Sequence, residues 1–197
     1  MTDHPAPVSN AARTEALKSV LSEKGILPDG FIDEFARDTE EKFVTRNGTR
    51  MVARAWSDPQ YRARLLKDGR AAAEEMGFTF PKHHRNLTVL ENTADIHNVI
   101  CCTQCSCTAY TIIGAAPGWY KDLEFRARVV REARGVLREM GLELPASTEI
   151  RVWDTSADSR YMVLPVQPPE TKGWPEDKLA ALVTQDCLIG VTRLAGT

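Results

Sequence analysis

The sequence predicts an α+β fold, with an N-terminal helical arm followed by a domain in which helices flank a small sheet. Apolar residues recur at helical spacing up to Gly77 and again from Trp119 to Met140. Short segments rich in Val, Ile and Leu, typical of strands, lie between Leu87 and Ile100 and beyond residue 149. Because helices precede and flank these strands, the α+β class is favoured, with a layered α/β arrangement as the alternative.

Residues 1–48 are predicted to form the arm. Thr14 is the candidate N-cap of a first helix that ends at Gly25. A second helix should follow the Pro-Asp-Gly turn at residues 28–30 and end at Asn47-Gly48. Both helices are amphipathic and too small to enclose a core. We therefore expect the arm either to grip another chain or to fold back on its own domain.

Residues 49–197 are predicted to form the main domain. Two helices are expected between residues 51 and 77, separated near Ser57-Asp58-Pro59, and two strands should lie on either side of a turn at Asn92-Thr93. The longest helix should end at Gly141, which is a natural C-cap. The remaining predicted elements are strands at Glu149–Trp153 and Tyr161–Val166 and a closing helix at Lys178–Leu188.

Composition excludes several classes of protein. The chain has 197 residues, 43% of them hydrophobic and 26% charged, so a buried core is expected and global disorder is not. A net charge of -2 gives no general attraction to nucleic acid or to anionic membranes. The arginines of the longest helix are interleaved with acidic residues, which indicates a solvated or subunit-facing surface. With no apolar run of membrane-spanning length and no secretory signal, a cytoplasmic protein is expected.

Four of the five cysteines lie within seven residues, at positions 101, 102, 105 and 107, and the fifth is Cys187. This arrangement does not suit disulfides that join distant loops. A structural zinc site usually takes two ligand pairs from separate segments, and no second pair is present, although zinc remains an alternative. Cys101 and Cys187 stand among apolar neighbours and are assigned to packing.

The segment Cys102-Thr103-Gln104-Cys105-Ser106-Cys107, here named the cysteine loop, predicts a non-haem metal site. Its spacing lets three sulfurs and two backbone nitrogens face one centre. Five ligands from six residues leave a sixth position open, as a catalytic metal requires. Binding through deprotonated amide nitrogens demands a strongly polarising, trivalent ion, which favours cobalt or iron over zinc.

The Cys-Thr-x-Cys-Ser-Cys motif resembles the metal-binding motif of nitrile hydratase alpha subunits and of the homologous thiocyanate hydrolase subunit. The resemblance covers roughly residues 50 to 192. Segments that carry it outside the motif include Trp119-Tyr120-Lys121, Glu124–Glu132, Glu149–Val152, Arg160–Pro165 and Asp186–Val191. It implies a layered α-β-β-α subunit that pairs with a separate beta chain and receives its metal with the help of an activator or cobalt-delivery protein.

The resemblance also implies the ligands. They are the sulfurs of Cys102, Cys105 and Cys107 and the backbone nitrogens of Ser106 and Cys107. In the family the second cysteine becomes a sulfinic acid and the third a sulfenic acid, which is reasonable chemistry for exposed, metal-bound thiolates. Thr103 resembles the cobalt type, so Co(III) is expected in preference to Fe(III). Arginines of the beta chain would complete the surroundings of the oxidised sulfurs.

Three departures from the family pattern bear on the substrate. Gln104 stands where Leu is usual, and Tyr110, followed by Thr111, stands where a Trp-Pro pair is usual. His83 falls where many members carry a Gln. Gln104 and Tyr110 either only pack or line the substrate pocket, and His83 either belongs to a polar loop with His84 or lines that pocket. The variant motif resembles that of the three-chain toyocamycin nitrile hydratases, whose substrate is a nucleoside nitrile.

Together these features predict the metal-carrying alpha subunit of a nitrile hydratase, a hydro-lyase that adds water to a nitrile. The oxidised Cys107 is the expected nucleophile. Thiocyanate hydrolysis on the same scaffold is one alternative, and a structural or zinc-binding subunit without chemistry is another. For Arg160, a place at the site or the subunit interface and an ion pair with Asp154 or Asp158 both remain open.

Overall fold

The computed structural model describes residues 9–42, 46–82 and 84–195. The chain divides into two compact units, Met1–Glu41 and Lys42–Thr197. The first unit ends at residue 41, seven residues before the predicted end of the arm at residue 48. Residue 48 lies inside a helix of the second unit.

Among its described residues the first unit contains helix α1 (Asn10–Glu23) and all of helix α2 (Phe31–Lys42) except its last residue. Helix α1 begins earlier than predicted, because the Ser9 hydroxyl accepts a hydrogen bond from the Ala12 amide and caps the helix. Thr14 instead lies within α1 and donates its hydroxyl proton to the Asn10 carbonyl. Large apolar side chains on both helices, such as Leu17 and Phe35, are exposed.

The second unit contains seven further helices among its described residues, with short 3-10 helices at Trp119–Lys121 and Pro169–Thr171. The predicted break at Asn47-Gly48 is wrong. Both residues lie in the first turn of α3, and Gly48 is buried where the backbone of Ile112 passes close to it. The helices are α3 (Arg46–Ser57), α4 (Pro59–Lys67), α5 (Gly69–Glu75), α6 (Tyr110–Ile113), α7 (Leu123–Glu139), α8 (Glu176–Leu182) and α9 (Gln185–Ile189).

The described residues include four strands, which form two parallel pairs. They are β1 (Asn86–Glu91), β2 (Ile96–Cys101), β3 (Glu149–Asp154) and β4 (Ser159–Leu164). Although β1 and β2 are separated only by a short turn, β1 pairs with β4 and β2 pairs with β3. The Asn92 side chain stabilises the turn, since it accepts hydrogen bonds from the backbone and side-chain nitrogens of Asn98.

The core lies between the strands and the helices that cover them. Apolar side chains from α3, β2, β4 and α9 are buried together, among them Met51, Val99, Ile100, Val163 and Leu188. Gly190, directly after α9, has a φ of +90° and lies against the Asn98 carbonyl of β2. The packing therefore joins the C-terminal helices to the strand that leads into the cysteine loop.

No helix among the described residues is long and apolar enough to cross a membrane.

Candidate metal centre

Strand β2 places the cysteine loop. It ends at the buried Cys101, which is in register with Asp154 at the end of β3. The pairing extends by one further bond, because the Thr155 amide donates to the Cys101 carbonyl at 2.9 Å. Cys102 is also buried, whereas Cys105 is exposed and Cys107 is half-buried. The loop thus begins in the core and turns outward within six residues.

The sulfurs of Cys102, Cys105 and Cys107 converge. All three ligand atoms lie within 4.8 Å of one another. The Cys102 and Cys105 sulfurs are 3.3 Å apart, and those of Cys105 and Cys107 are 2.9 Å apart. Metal–sulfur bonds of about 2.3 Å meeting at right angles would place two sulfurs about 3.3 Å apart. The three cysteines therefore fit one metal ion, and no second group of this kind occurs in residues 9–42, 46–82 and 84–195.

The loop backbone also faces this centre. The Cys105 amide donates to the Cys102 sulfur at 3.3 Å. Hydrogen bonds from the Cys107 and Cys102 thiols lower the pKa of Cys105 to about 7, and the backbone amides of Cys107 and Ser106 contribute in the same direction. The amides of Ser106 and Cys107 thus favour the thiolate form of Cys105, and their roles as metal ligands stay predictions.

Burial raises the pKa of two neighbouring thiols. The pKa of Cys107 rises to about 11 through burial and its contact with Cys105, although the positive charge of Arg160 opposes this rise. The pKa of Cys101 rises to about 12, chiefly through burial. The pKa of Cys105 therefore lies below those of Cys107 and Cys101.

Side chains from elsewhere in the fold hold the loop. The Asp154 carboxylate accepts hydrogen bonds from both the amide and the hydroxyl of Thr103, the amide at 2.9 Å. Arg126, near the start of α7, donates to the Cys105 carbonyl at 2.6 Å. The buried Tyr120 donates its hydroxyl proton to the Cys107 carbonyl at 3.1 Å. Three separate elements therefore fix the first turn, the middle and the end of the loop.

A cavity of about 320 Å³, here named the Cys107 cavity, adjoins the last cysteine. Tyr110 lines it and packs edge-on against the His84 ring, with the ring centroids 4.7 Å apart. Its other lining residues are Ser106, Thr108, Ala115, Ala116, Lys121 and Arg160. A space of this volume beside Cys107 can hold the organic group of a small molecule.

Arg160 lines the Cys107 cavity and does not form the ion pair with Asp154 or Asp158 that was one of its two predicted roles. Its Nη1 donates to backbone carbonyls of the β3–β4 turn, including that of Ala157 at 3.3 Å. The two candidate carboxylates have other partners, since Asp158 pairs with Arg85 and Asp154 binds Thr103. The Arg160 Nε is buried without a hydrogen-bond partner in the described part of the chain. Arg160 therefore stabilises a turn while holding a positive charge near Cys107.

The other predicted pocket residues have different surroundings. Gln104 is exposed at the tip of the cysteine loop and does not line the Cys107 cavity. His83 lies outside the described residues, whereas its neighbour His84 is buried and lines the cavity. The roles proposed for Gln104, Tyr110 and His83 stay predictions.

Sequence reasoning missed three residues at the centre: Asp154, Arg126 and Lys121. Asp154 is 51 residues from Thr103, so its role depends on the pairing of β2 with β3. From the sequence, Arg126 is expected only to contribute to the charged surface of its helix. The only sequence signal for Asp154 is that it ends a strand, where side chains can reach a loop at the same edge of the sheet.

Comparison with known proteins decides the family. A family model described as "Nitrile hydratase, alpha chain" matches residues 8–192. The chain belongs to the nitrile hydratase alpha chain family. This confirms the resemblance on which the sequence-based interpretation depended.

Three relatives illustrate the range of the family. The nitrile hydratase subunit alpha of a Rhodococcus species is 44% identical over 95% of this chain and 94% of its own length. The cobalt-containing nitrile hydratase subunit alpha of Pseudonocardia thermophila is 43% identical over 91% of this chain and 88% of its own. The gamma subunit of thiocyanate hydrolase from Thiobacillus thioparus is 39% identical over 95% of this chain and 83% of its own.

A solved structure confirms the predicted fold. A double histidine-to-alanine variant of the Fe-type nitrile hydratase of Comamonas testosteroni Ni1 superimposes with a TM-score of 0.89 and 53% identity. The match covers 95% of this chain and 92% of the other. Proteins named as cobalt-containing and as Fe-type are thus both similar to this chain.

Proposed function

We propose that this chain is the metal-carrying alpha subunit of a cobalt nitrile hydratase, which hydrates a nitrile to an amide once it is assembled with a beta-type subunit. The observation that carries the proposal is the convergence of three cysteine sulfurs beside the Cys107 cavity. Cys102, Cys105 and Cys107 would hold the ion through sulfur, and Ser106 and Cys107 would hold it through backbone nitrogen. Thr103 favours Co(III) over Fe(III).

Different residues of this chain would have separate roles in the reaction. When bound, a trivalent cobalt ion would supply Lewis-acid chemistry that polarises the nitrile. Cys107, once oxidised to a sulfenate by dioxygen, would present its oxygen to the nitrile carbon as the nucleophile. The sulfur–oxygen bond would break as that oxygen leaves with the product, and the oxygen of a water molecule would bond to the sulfur and restore the sulfenate. Tyr110 and the remaining lining of the Cys107 cavity receive the organic group of the substrate. Net addition of one water across the carbon–nitrogen triple bond then gives the amide.

A partner subunit is required because of charge. Oxidation of Cys105 to a sulfinate and Cys107 to a sulfenate creates anions that must be neutralised when an assembled interface excludes water. Arg160 and Lys121 line the cavity from this chain, and arginines of the beta chain would supply the rest. We expect the isolated, metal-loaded chain to turn over nitriles far more slowly than the complex. Equal rates for both would overturn this requirement.

The test is expression with the beta subunit and an activator protein in cobalt-supplemented medium. We expect about one cobalt per chain by elemental analysis, as the family's single centre requires. Intact and peptide masses should show two added oxygen atoms at Cys105 and one at Cys107. Amide formation from a nitrile is measured in the same preparation. Cys107→Ala should abolish turnover, whereas Cys187→Ala, which removes a buried thiol outside the centre, should retain cobalt and activity.

Two results would contradict the proposal. Zinc as the only retained ion, with all thiols unmodified, supports a structural subunit instead. Iron in place of cobalt, with the same cysteine oxidation, would correct the metal and leave the reaction standing.

Thiocyanate hydrolysis is the second candidate function. The specific observation in its favour is the basic lining of the Cys107 cavity, where Arg160 and Lys121 suit an anion. The similarity to a thiocyanate hydrolase gamma subunit agrees with it. Release of ammonia from thiocyanate, without amide formation from nitriles, would make it the correct assignment.

A further inference from the structure

The helix α6 and the residues after it form one wall of the Cys107 cavity. Tyr110 starts this segment, and Ala115 and Ala116 end it; residues 110–116 are here named the α6 wall. A four-residue helix leaves its last carbonyls without partners inside the helix. The α6 wall therefore depends on other parts of the protein to fix its position.

Two side-chain amides bind the carbonyls of the α6 wall. The Gln185 Nε2, at the start of α9, donates to the Ile113 carbonyl at 2.8 Å and to the Ala115 carbonyl at 2.7 Å. The Asn47 Nδ2, from the first turn of α3, donates to the Thr111 carbonyl at 2.8 Å. Three carbonyls within five residues are thus held by two donors from distant helices.

Close packing leaves the α6 wall little room on the side of these helices. A Cβ at Gly48 would lie 2.8 Å from the Ile112 carbonyl oxygen and 2.9 Å from a methyl group of Leu188. Ile112 and Ile113 are fully buried. The segment can consequently shift toward the cavity, but not toward α3 and α9.

We propose that Gln185 and Asn47 are positioning residues that set the width of the substrate cavity, although neither lines it. By fixing the α6 wall against α3 and α9, they hold Tyr110, Ala115 and Ala116 away from Cys107 and keep space for a bulky nitrile. The proposal rests on the proposed function for its substrate class. Its geometric part, a wall held back by two amides, is independent of turnover.

The same contacts have a purely structural interpretation, in which the amides only satisfy buried carbonyls. That interpretation predicts a general loss of stability with no change in the choice of substrate. Positioning predicts a selective effect. Loss of the donors lets the α6 wall move inward, so the Michaelis constant for a bulky aromatic nitrile rises while kcat and the constant for acetonitrile change little.

The central variant is Gln185→Met in the assembled, metal-loaded complex, because methionine keeps the side-chain length and removes the donor. We expect the Michaelis and dissociation constants for benzonitrile to rise about tenfold relative to those for acetonitrile, the low end of the range for altered pocket contacts. Dissociation constants are measured by calorimetry, so a complex that binds nitriles without hydrating them is still informative. Hydrogen exchange within residues 110–116 should increase, while exchange in α7 should not.

Three controls accompany Gln185→Met. Gln60→Met makes the same chemical change at an exposed glutamine and should alter none of these quantities. Gln185→Lys restores donors on a flexible chain and should recover most of the discrimination. Asn47→Leu removes the second amide and should shift preference in the same direction. Because both amides act on one segment, the double variant should show less than the summed effect.

The outcomes separate the two proposals. Unchanged exchange in residues 110–116, or parallel changes for both nitriles, overturns the positioning of the wall by Gln185. Tighter binding of benzonitrile by the Gln185→Met complex would contradict the inward movement of the α6 wall. Selective loss of benzonitrile binding in a complex that makes no amide would support the positioning role and refute nitrile hydration.

Discussion

Replacing Gly190 with alanine should destabilise the protein by two additive mechanisms. The backbone at Gly190 has a φ of +90°, a region that costs an L-residue roughly 1–2 kcal/mol. The added Cβ would also lie 2.0 Å from the Asn98 carbonyl oxygen and 3.2 Å from a methyl group of Val163. The carbonyl belongs to β2, so relieving the clash requires movement of a buried strand, at about 1–3 kcal/mol. The expected loss is about 2–5 kcal/mol.

Gly141→Ala is the matched control. Gly141 has a φ of +91°, and no atom would lie within 4 Å of an added Cβ. Gly141→Ala should therefore lose only the stability that the positive φ costs a residue with a side chain, about 1–2 kcal/mol. Urea unfolding followed by circular dichroism should rank the midpoints as wild type, then Gly141→Ala, then Gly190→Ala. An equal loss in the two variants would refute the contribution from contact with β2. Metal content should fall only in Gly190→Ala, because β2 leads directly into the cysteine loop.

Three further predictions concern the site and its support. Asp154→Asn should weaken metal retention about tenfold in a chelator competition, because it removes the negative charge and one of the two oxygen acceptors that bind Thr103. Unchanged retention would show that the cysteine loop keeps its shape without this carboxylate. Tyr110→Trp should reduce kcat/KM for a bulky heteroaromatic nitrile, relative to kcat/KM for a small one, by roughly ten- to two-hundredfold. Parallel changes in kcat/KM for both nitriles would assign Tyr110 to packing. His97, whose pKa burial lowers to about 4 and whose Nε2 donates to the Gly190 carbonyl, should stay neutral in the folded protein. Because the unfolded chain binds this proton near pH 6.5, stability should fall by about 3 kcal/mol between pH 6.5 and 4, and His97→Gln should remove this slope in acid unfolding.

Local chemistry explains the parts of the structure that the sequence predicted. The Pro-Asp-Gly turn before α2, the break at Asp58-Pro59 and the end of α7 near Gly141 all follow from backbone preferences of the residues present. The positions of β1 and β2 around Asn92 were also correct within about two residues. The convergence of the three sulfurs was predictable because six adjacent residues carry it.

Long-range pairing explains the parts that could not be predicted. Nothing near β2 indicates that its partner is β3, so the contact between Thr103 and Asp154 was not inferred. At Gly48 a local sequence signal gave a wrong prediction. Asn-Gly is a strong local turn signal, yet here the glycine allows the backbone of Ile112 to approach a helix. Tertiary packing decided that position, and only the fold reveals it.

The bond between Thr103 and Asp154 has a consequence for the order of events during synthesis. The two residues are 51 positions apart, and β2 has no strand partner until β3 has been made. At translation rates of about 5–20 residues per second, the cysteines precede Asp154 by roughly 3 to 10 seconds. During that interval the cysteine loop lacks both the Asp154 carboxylate and the β3 strand that hold it in the folded chain. A metal ion of the proposed kind would therefore meet the folded form of the loop only after translation has passed residue 154.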